Sequence, residues 1–139
     1  MIIKDVALIH SLDSARLADE IEKQAAAIDR RVSVLIEINS AMEENKSGVL
    51  PSEAERLLCE VLERPHLEVR GLMTMGPADC DEGELRGYFR STKNLFDKFH
   101  SRYGFGDEPI LSMGMSDSYR IAIEEGSTLV RVGRKLFRN

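Results

Sequence analysis

The chain has 139 residues, 42% of them hydrophobic and 31% charged, which is the make-up of one soluble globular domain and leaves no room for two. Its 19 Lys and Arg against 24 Asp and Glu give a net charge of −5. That balance excludes a general nucleic-acid binder, whose affinity rests on positive charge set against phosphate, but leaves space for one small basic pocket. No apolar run approaches the roughly 18 residues of a membrane span, and no signal peptide is read ahead of the first element, so a cytoplasmic protein is expected. Cys59 and Cys80 lack CxxC spacing and read as free thiols of a reducing compartment.

In chain order the apolar run VALIH, residues 6–10, predicts a first strand that stops at Ser11-Leu12-Asp13. Residues 14–28 place Leu17, Ile21, Ala25 and Ile28 at helical spacing, with Glu20, Lys23 and Gln24 on the other side. Val32, Val34, Ile36 and Ile38 then alternate with Ser33, Leu35, Glu37 and Asn39, a β-branched period-two strand. After the polar loop SAMEENKSG, Pro51 opens a second helix, with Ser52 and Glu55 at capping-box spacing and Leu57, Leu58, Val61 and Leu62 on its apolar face. Residues 67–75 form a third strand, residues 82–103 a third helix ended by Gly104, and residues 110–113 a fourth strand. Ser116 or Asp117 caps a short helix, residues 118–125, stopped by Gly126, and residues 128–132 make the fifth strand.

This β-α alternation implies parallel strands. Pattern alone favours an open doubly wound sheet over a piece of a (β/α) barrel, because five units are too few to close a barrel and a partial one leaves two raw edges. Ligands bind at the carboxyl ends of the strands in either case. Those ends carry His10-Ser11, Asn39, Met73 to Met75, Ser112 to Ser116 and Arg131 to Arg134. The last two, with Gly114, Ser116, Gly133 and arginines, suggest a phosphate-bearing small molecule, against the strong plain readings that Gly133 only makes a turn, Ser116 only caps its helix and Arg131 pairs at the surface. His10, His66 and His100 are scattered without metal-ligand spacing and read as core or surface groups. Met73, Met75, Met113 and Met115 read as packing residues.

The segments IHSLDS (9–14), VLIEIN with NKSG (34–39, 45–48), RGLMTM (70–75) and above all LSMGMSDSYRIAIEEGSTLVRVG (111–133) resemble the pyridoxal-phosphate homeostasis protein family. Its fold is similar to the barrel domain of alanine racemase. The resemblance spans essentially the whole chain and reverses the preference from pattern. It implies an α/β fold, a partial (β/α)8 TIM-type barrel in which the five parallel strands, alternating with helices, correspond to the fourth to eighth. It also implies that Ser116 and the backbone N–H groups of Gly133 and Arg134 hold the phosphate of pyridoxal 5'-phosphate, with Met115 lining the same turn. Arg131 would approach the pyridine nitrogen, where a guanidinium has no acceptor for a ring proton and so favours the neutral ring. Arg134-Lys135 and Phe137-Arg138 depart from the family pattern, which continues to a small or hydroxylated residue and ends Phe-Gly.

Family members begin with three further strand–helix units, the first carrying the lysine that bonds the cofactor. Neither Lys4 nor Lys46 is equivalent to it, so the chain is expected to be a fragment, a separately translated piece or a shortened relative. The function this implies is non-catalytic, non-covalent binding of the cofactor, of the vitamin B6 homeostasis type. A structural half-barrel without ligand and a remnant of a racemase-type enzyme are the alternatives. The apolar edge runs VALIH and TLVRV carry a single charge, Arg131, and predict self-association or pairing with a complementary N-terminal segment.

Overall fold

A computed structural model describes residues 8–44, 47–77, 80–114 and 118–129. Strands β1 (Leu8–Leu12), β2 (Val32–Ile38), β3 (Leu67–Thr74) and β4 (Ile110–Met113) alternate with helices α1 (Ala15–Ala27), α2 (Ala54–Leu62), α3 (Glu82–Tyr103) and α4 (Tyr119–Glu124). All pairings are parallel, in the order β1-β2-β3-β4. A doubly wound sheet requires a point at which strand order reverses, and this sequential order has none. The helices also share one face. Ala18, Ile21 and Ala25 of α1, Leu57, Leu58 and Val61 of α2, and Phe89, Phe96 and Phe99 of α3 join Val34, Ile36, Val69 and Leu72 in a single core. Helices on one side of sequential parallel strands make a sector of a (β/α) barrel wall, so the open doubly wound alternative is wrong. Of the predicted fifth strand, residues 130–132 lie outside the described set. At its start Leu129 bridges Ser112 in the parallel sense, and its N–H donates to the Leu111 carbonyl at 3.2 Å.

The observed elements refine the predicted ones in physical detail. β1 continues through Ser11 to Leu12, which is fully buried and pairs with Ile36 beyond a register irregularity. Ser14 caps α1 by accepting the Leu17 N–H at 3.1 Å. The helix ends at Ala27, so Ile28 leaves the apolar face and is 40% exposed. In β2 the period-two pattern holds, but both faces are covered: Leu35 is fully buried and Glu37 only 3% exposed. Such two-sided burial is characteristic of parallel strands.

The capping box expected at Ser52 and Glu55 does not form, because Pro51–Glu53 is a separate 3-10 turn and no side chain caps α2. Glu55 instead reaches the end of α3, where it accepts the Tyr103 hydroxyl at 2.6 Å and pairs with Arg102. These two hydrogen bonds, Tyr103 first, hold the Glu55 carboxyl below its usual range. The Cys59 thiol and then Glu55 push the Tyr103 phenol up to about 12. A true capping box stands at α3, where Asp81 accepts the Glu84 N–H at 2.8 Å and Glu84 accepts the Asp81 N–H at 3.3 Å. Gly104, with φ at 79°, ends that helix.

His66 and His100 hold local structure. The Nδ1 of His66 lies 2.6 Å from Glu22, and the Nδ1 of His100 accepts the Phe105 N–H at 3.0 Å while its ring stacks with Phe96 and Phe105. Cys59 and Cys80 are not joined in a disulfide. Among the described residues no helix is long and apolar enough to cross a membrane.

At Gly71 strands β3 and β4 lie so close that a β-carbon would sit 1.7 Å from the Ile110 carbonyl oxygen. Neither atom can yield, since both belong to the β3–β4 ladder. Gly71→Ala is therefore expected to lower stability by about 3 kcal/mol or more, read as a reduced urea midpoint, and to open β4 to amide exchange.

Candidate functional site

The carboxyl ends of β2 and β3 and the first turns of α3 and α4 enclose a cleft of about 430 Å³. That lies within the usual range for small-molecule sites. β2 and the loop after it supply Glu37, Ile38, Asn39, Ser40, Glu43 and Ser47, while β3 and its loop supply Thr74, Met75, Gly76 and Pro77. Cys80, Glu82 and Leu85 from the start of α3, and Ser118 and Ile121 from α4, complete the lining.

The polar groups of this rim are fastened from below. Thr74 is fully buried; its hydroxyl donates to the Ile38 carbonyl at 2.8 Å, and Ser40 Oγ lies 3.0 Å away. Asn39 grips the β2–α2 loop from both ends of its amide, donating to the Glu43 carbonyl at 2.7 Å and accepting the Glu43 N–H at 3.1 Å. The Ser47 hydroxyl donates to the buried Glu37 carboxylate at 2.7 Å. Gly48 then turns with φ at 107°, with no space for a β-carbon because Asn39 N would lie 2.7 Å from it, and donates its N–H to Asp13 after β1 at 3.1 Å. Among the described residues the charged groups of the lining, Glu37, Glu43 and Glu82, are all acidic.

Behind the cleft, α3 and α4 are joined by ion pairs. Arg86 donates to Glu124 at 2.6 Å, Glu125 at 3.2 Å and Glu82 at 3.3 Å. Arg90 grips both oxygens of Glu125, at 3.0 and 3.1 Å. Arg90 first, and then Arg86, hold the Glu125 carboxyl below its usual range, while burial pushes the other way. Beyond α4 the Ser127 hydroxyl lies within 3.2 Å of the carbonyls of Leu111, Met113 and Leu129, tying the return of the chain to β4.

Met115, Ser116, Arg131, Gly133 and Arg134, the cofactor-binding residues inferred from resemblance, lie outside the described residues. Their neighbours are described: Met113 is buried, Gly114 has φ at 93°, and Ser118 lines the cleft. Of the strand-end candidates, Asn39, Thr74 and Met75 line the cleft; His10 lies on β1. Met73 and Met113 pack as expected, whereas Met75, also expected to pack, is 44% exposed, and Met115 lies outside the described residues. Sequence reasoning missed Glu37, Ser40 and Ser47. A carboxylate in the apolar run VLIEIN, ten residues before a serine, was the available signal for the first and last. Among the described residues no group of three metal-ligating side chains occurs.

The sequence profile of the family described as alanine racemase, N-terminal domain, matches residues 2–138. A pyridoxal phosphate homeostasis protein of Aquifex aeolicus is 46% identical over 132 residues, covering 95% of this chain and 58% of that protein. The chain therefore spans a little over half the length of this curated relative. PipY of Synechococcus elongatus, solved without PLP, is 27% identical with a TM-score of 0.87 over 97% of this chain and 63% of PipY. With PLP bound it is 25% identical with a TM-score of 0.82, over 97% and 62%. The alanine racemase of Corynebacterium glutamicum, 21% identical over 91% of this chain and 34% of that one, shares the fold with a TM-score of 0.66.

Two outcomes test the rim. Thr74→Val removes the hydroxyl but keeps the shape, and is expected to cost about 1–2 kcal/mol in a urea melt by leaving buried acceptors unpaired. Glu125 has a lowered carboxyl in the folded state, so its stabilisation is present above its unfolded value and lost as pH falls through the folded one. Stability is expected to decline from about pH 4.3 downward. In Glu125→Gln that part of the acid dependence should be absent.

Proposed function

The chain belongs to the family of alanine racemase N-terminal domains, and from that premise we propose that it is a pyridoxal-phosphate-binding protein of the vitamin B6 homeostasis type, holding the cofactor without a covalent bond and catalysing no reaction of its own. The names of the curated relatives and the PLP bound to PipY support the ligand. The observation that carries the reading is the cleft itself, set at the carboxyl ends of consecutive parallel strands and reaching the first turn of α4. A flat, hydroxylated ring suits its lining, in which hydroxyl and amide groups alternate with Ile38, Leu85 and Ile121.

The family resemblance assigns the phosphate to the β4 side, and the acidic groups of the described lining offer it no donor. There Ser116 and the N–H groups of Gly133 and Arg134 would hold it, with Met115 lining the turn and Arg131 beside the ring nitrogen. Pyridoxal phosphate, when bound, supplies an aldehyde and an electron-withdrawing ring. The residues of this chain bind and orient it, and Lys4 and Lys46 are not assigned to the aldehyde. Storage or delivery of the cofactor in the cytoplasm fits this arrangement better than turnover. We further propose that the outer edge of β1, which among the described residues pairs with no strand, takes a partner strand from a second copy or from complementary strand–helix units, because an open parallel edge is a ready template for pairing.

Calorimetry with pyridoxal phosphate and with pyridoxal tests the assignment. Phosphate-dominated, salt-sensitive binding is expected, with pyridoxal far weaker and Ser116→Ala reducing the difference between them. The bound complex should show no visible absorbance band removable by borohydride. Equal binding of the two compounds would count against the phosphate site, and no binding of either would favour the structural half-barrel. Light scattering showing a stable monomer at micromolar concentration would refute the edge partner.

A further inference from the structure

Several hydroxyls of the cleft wall have their hydrogens taken before any ligand arrives. A hydroxyl has one hydrogen to give. That of Ser47 goes to Glu37 at 2.7 Å. That of Thr74 goes to the Ile38 carbonyl at 2.8 Å, since a carbonyl can only accept. In the 3.0 Å contact between Thr74 and Ser40 the bridging hydrogen is therefore the one on Ser40. The Cys80 thiol points to the Pro77 carbonyl at 3.6 Å, and Asn39 gives one of its two amide hydrogens to the Glu43 carbonyl. What these lining side chains have left to offer is mostly lone pairs.

Glu37 is the strongest acceptor among them. It lines the cleft, is 3% exposed, and among the described residues the Ser47 hydroxyl on Oε2 is its one donor. A carboxylate accepts on both oxygens, so Oε1 has capacity for a donor brought by a ligand. At such burial a carboxylate acts on its neighbours with little dilution by water. Glu43 and Glu82 have the same sign but stand in solvent, Glu82 with 67% of its side chain exposed and already paired with Arg86, so screening limits what they add. Among the described residues no cationic side chain lines the cleft to offset them.

Such a wall suits a donor better than an acceptor, and a cation better than a neutral group. The aldehyde of pyridoxal phosphate presents an oxygen that only accepts. The aminomethyl group in its place in pyridoxamine phosphate is a cation with three hydrogens to donate, like the ammonium of a lysine. We propose that the cleft prefers this amine form of the cofactor, and that Glu37 sets the preference by accepting a hydrogen bond from its ammonium group. The inference rests on the proposed binding of the cofactor in this cleft and adds which form is held. It asks nothing of the phosphate, which the forms share.

Calorimetry with the phosphates of pyridoxamine, pyridoxine and pyridoxal tests it. Pyridoxine phosphate carries a neutral hydroxymethyl group at the same place and so isolates the charge. The wild-type chain is expected to bind pyridoxamine phosphate about tenfold or more tighter than the other two, the range of a charge-assisted hydrogen bond. Glu37→Gln keeps the size of the side chain and an acceptor for Ser47 but removes the charge, and should bring the three affinities to within about threefold of one another. Glu20→Gln, at an exposed position on α1 outside the cleft lining, should keep the wild-type preference. Raising the salt concentration should weaken all three ligands together and leave the wild-type preference within about twofold, because a buried charge is screened far less than an exposed one. Equal affinities in the wild type, a preference that survives in Glu37→Gln, or one that collapses with salt would each overturn the proposal. Should Glu37→Gln fail to fold, the wild-type preference and its response to salt decide. If none of the three binds the wild-type chain, the functional reading falls and this inference with it; if all bind equally, the reading stands and only the preference falls.

Discussion

Parallel pairing obliges every connection to travel from one end of the sheet to the other, and in this chain that single constraint organises the rest. Each strand must be followed by a crossover long enough to return, and α1, α2 and α3 are those crossovers. They all return over the same face, so one core of Ile, Leu, Val and Phe side chains suffices. The carboxyl ends of the strands are brought to one rim, where the chain leaves regular structure and backbone polar groups need other partners. The cleft is a consequence of that geometry before it is a property of any particular side chain.

At the rim, side chains take over the work of the ladder. Asn39, Thr74 and Ser127 each donate to a main-chain carbonyl, that of Glu43, Ile38 and Leu111 respectively. Glu37 tolerates burial because Ser47 donates to it, and that contact also draws the β2–α2 loop back over the strand that precedes it. Buried polar groups of this kind are costly when only half satisfied, which makes the rim rigid where it is bonded. At the carboxyl end of α4, charged side chains reach across from α3 to Glu124 and Glu125.

The parts of this architecture legible in the sequence were those encoded by short-range chemistry. The apolar faces of α2 and α3, the β-branched run of β2 and the stop at Gly104 depend on neighbours within a turn or two, and residues 82–103 and 110–113 were bounded as observed, although Leu62, expected on the α2 face, is 44% exposed. The choice between a doubly wound sheet and a barrel wall was not legible in that way, since both produce the same alternation; it lies in which face the helices choose. Family resemblance supplied it. Ser52 and Glu55 misled because cap spacing is necessary for a capping box without being sufficient, and Glu55 found stronger partners 47 and 48 residues away. Glu37 was overlooked because its partner Ser47 is brought near only by the folded loop. For the five residues assigned to the cofactor, the strand-end pattern pointed only to a phosphate-bearing ligand, and their individual roles came from resemblance.

The strand order carries a further consequence, for how the chain acquires its shape. Because β1 pairs with β2, β2 with β3 and β3 with β4, each new strand needs only the one made just before it. No segment has to wait for a distant stretch of chain before it can bury its apolar face, so the loop-closure entropy to be overcome at each step is that of one helix and its turns. A wall built this way can grow in the direction of synthesis, with every strand emerging beside a partner already in place.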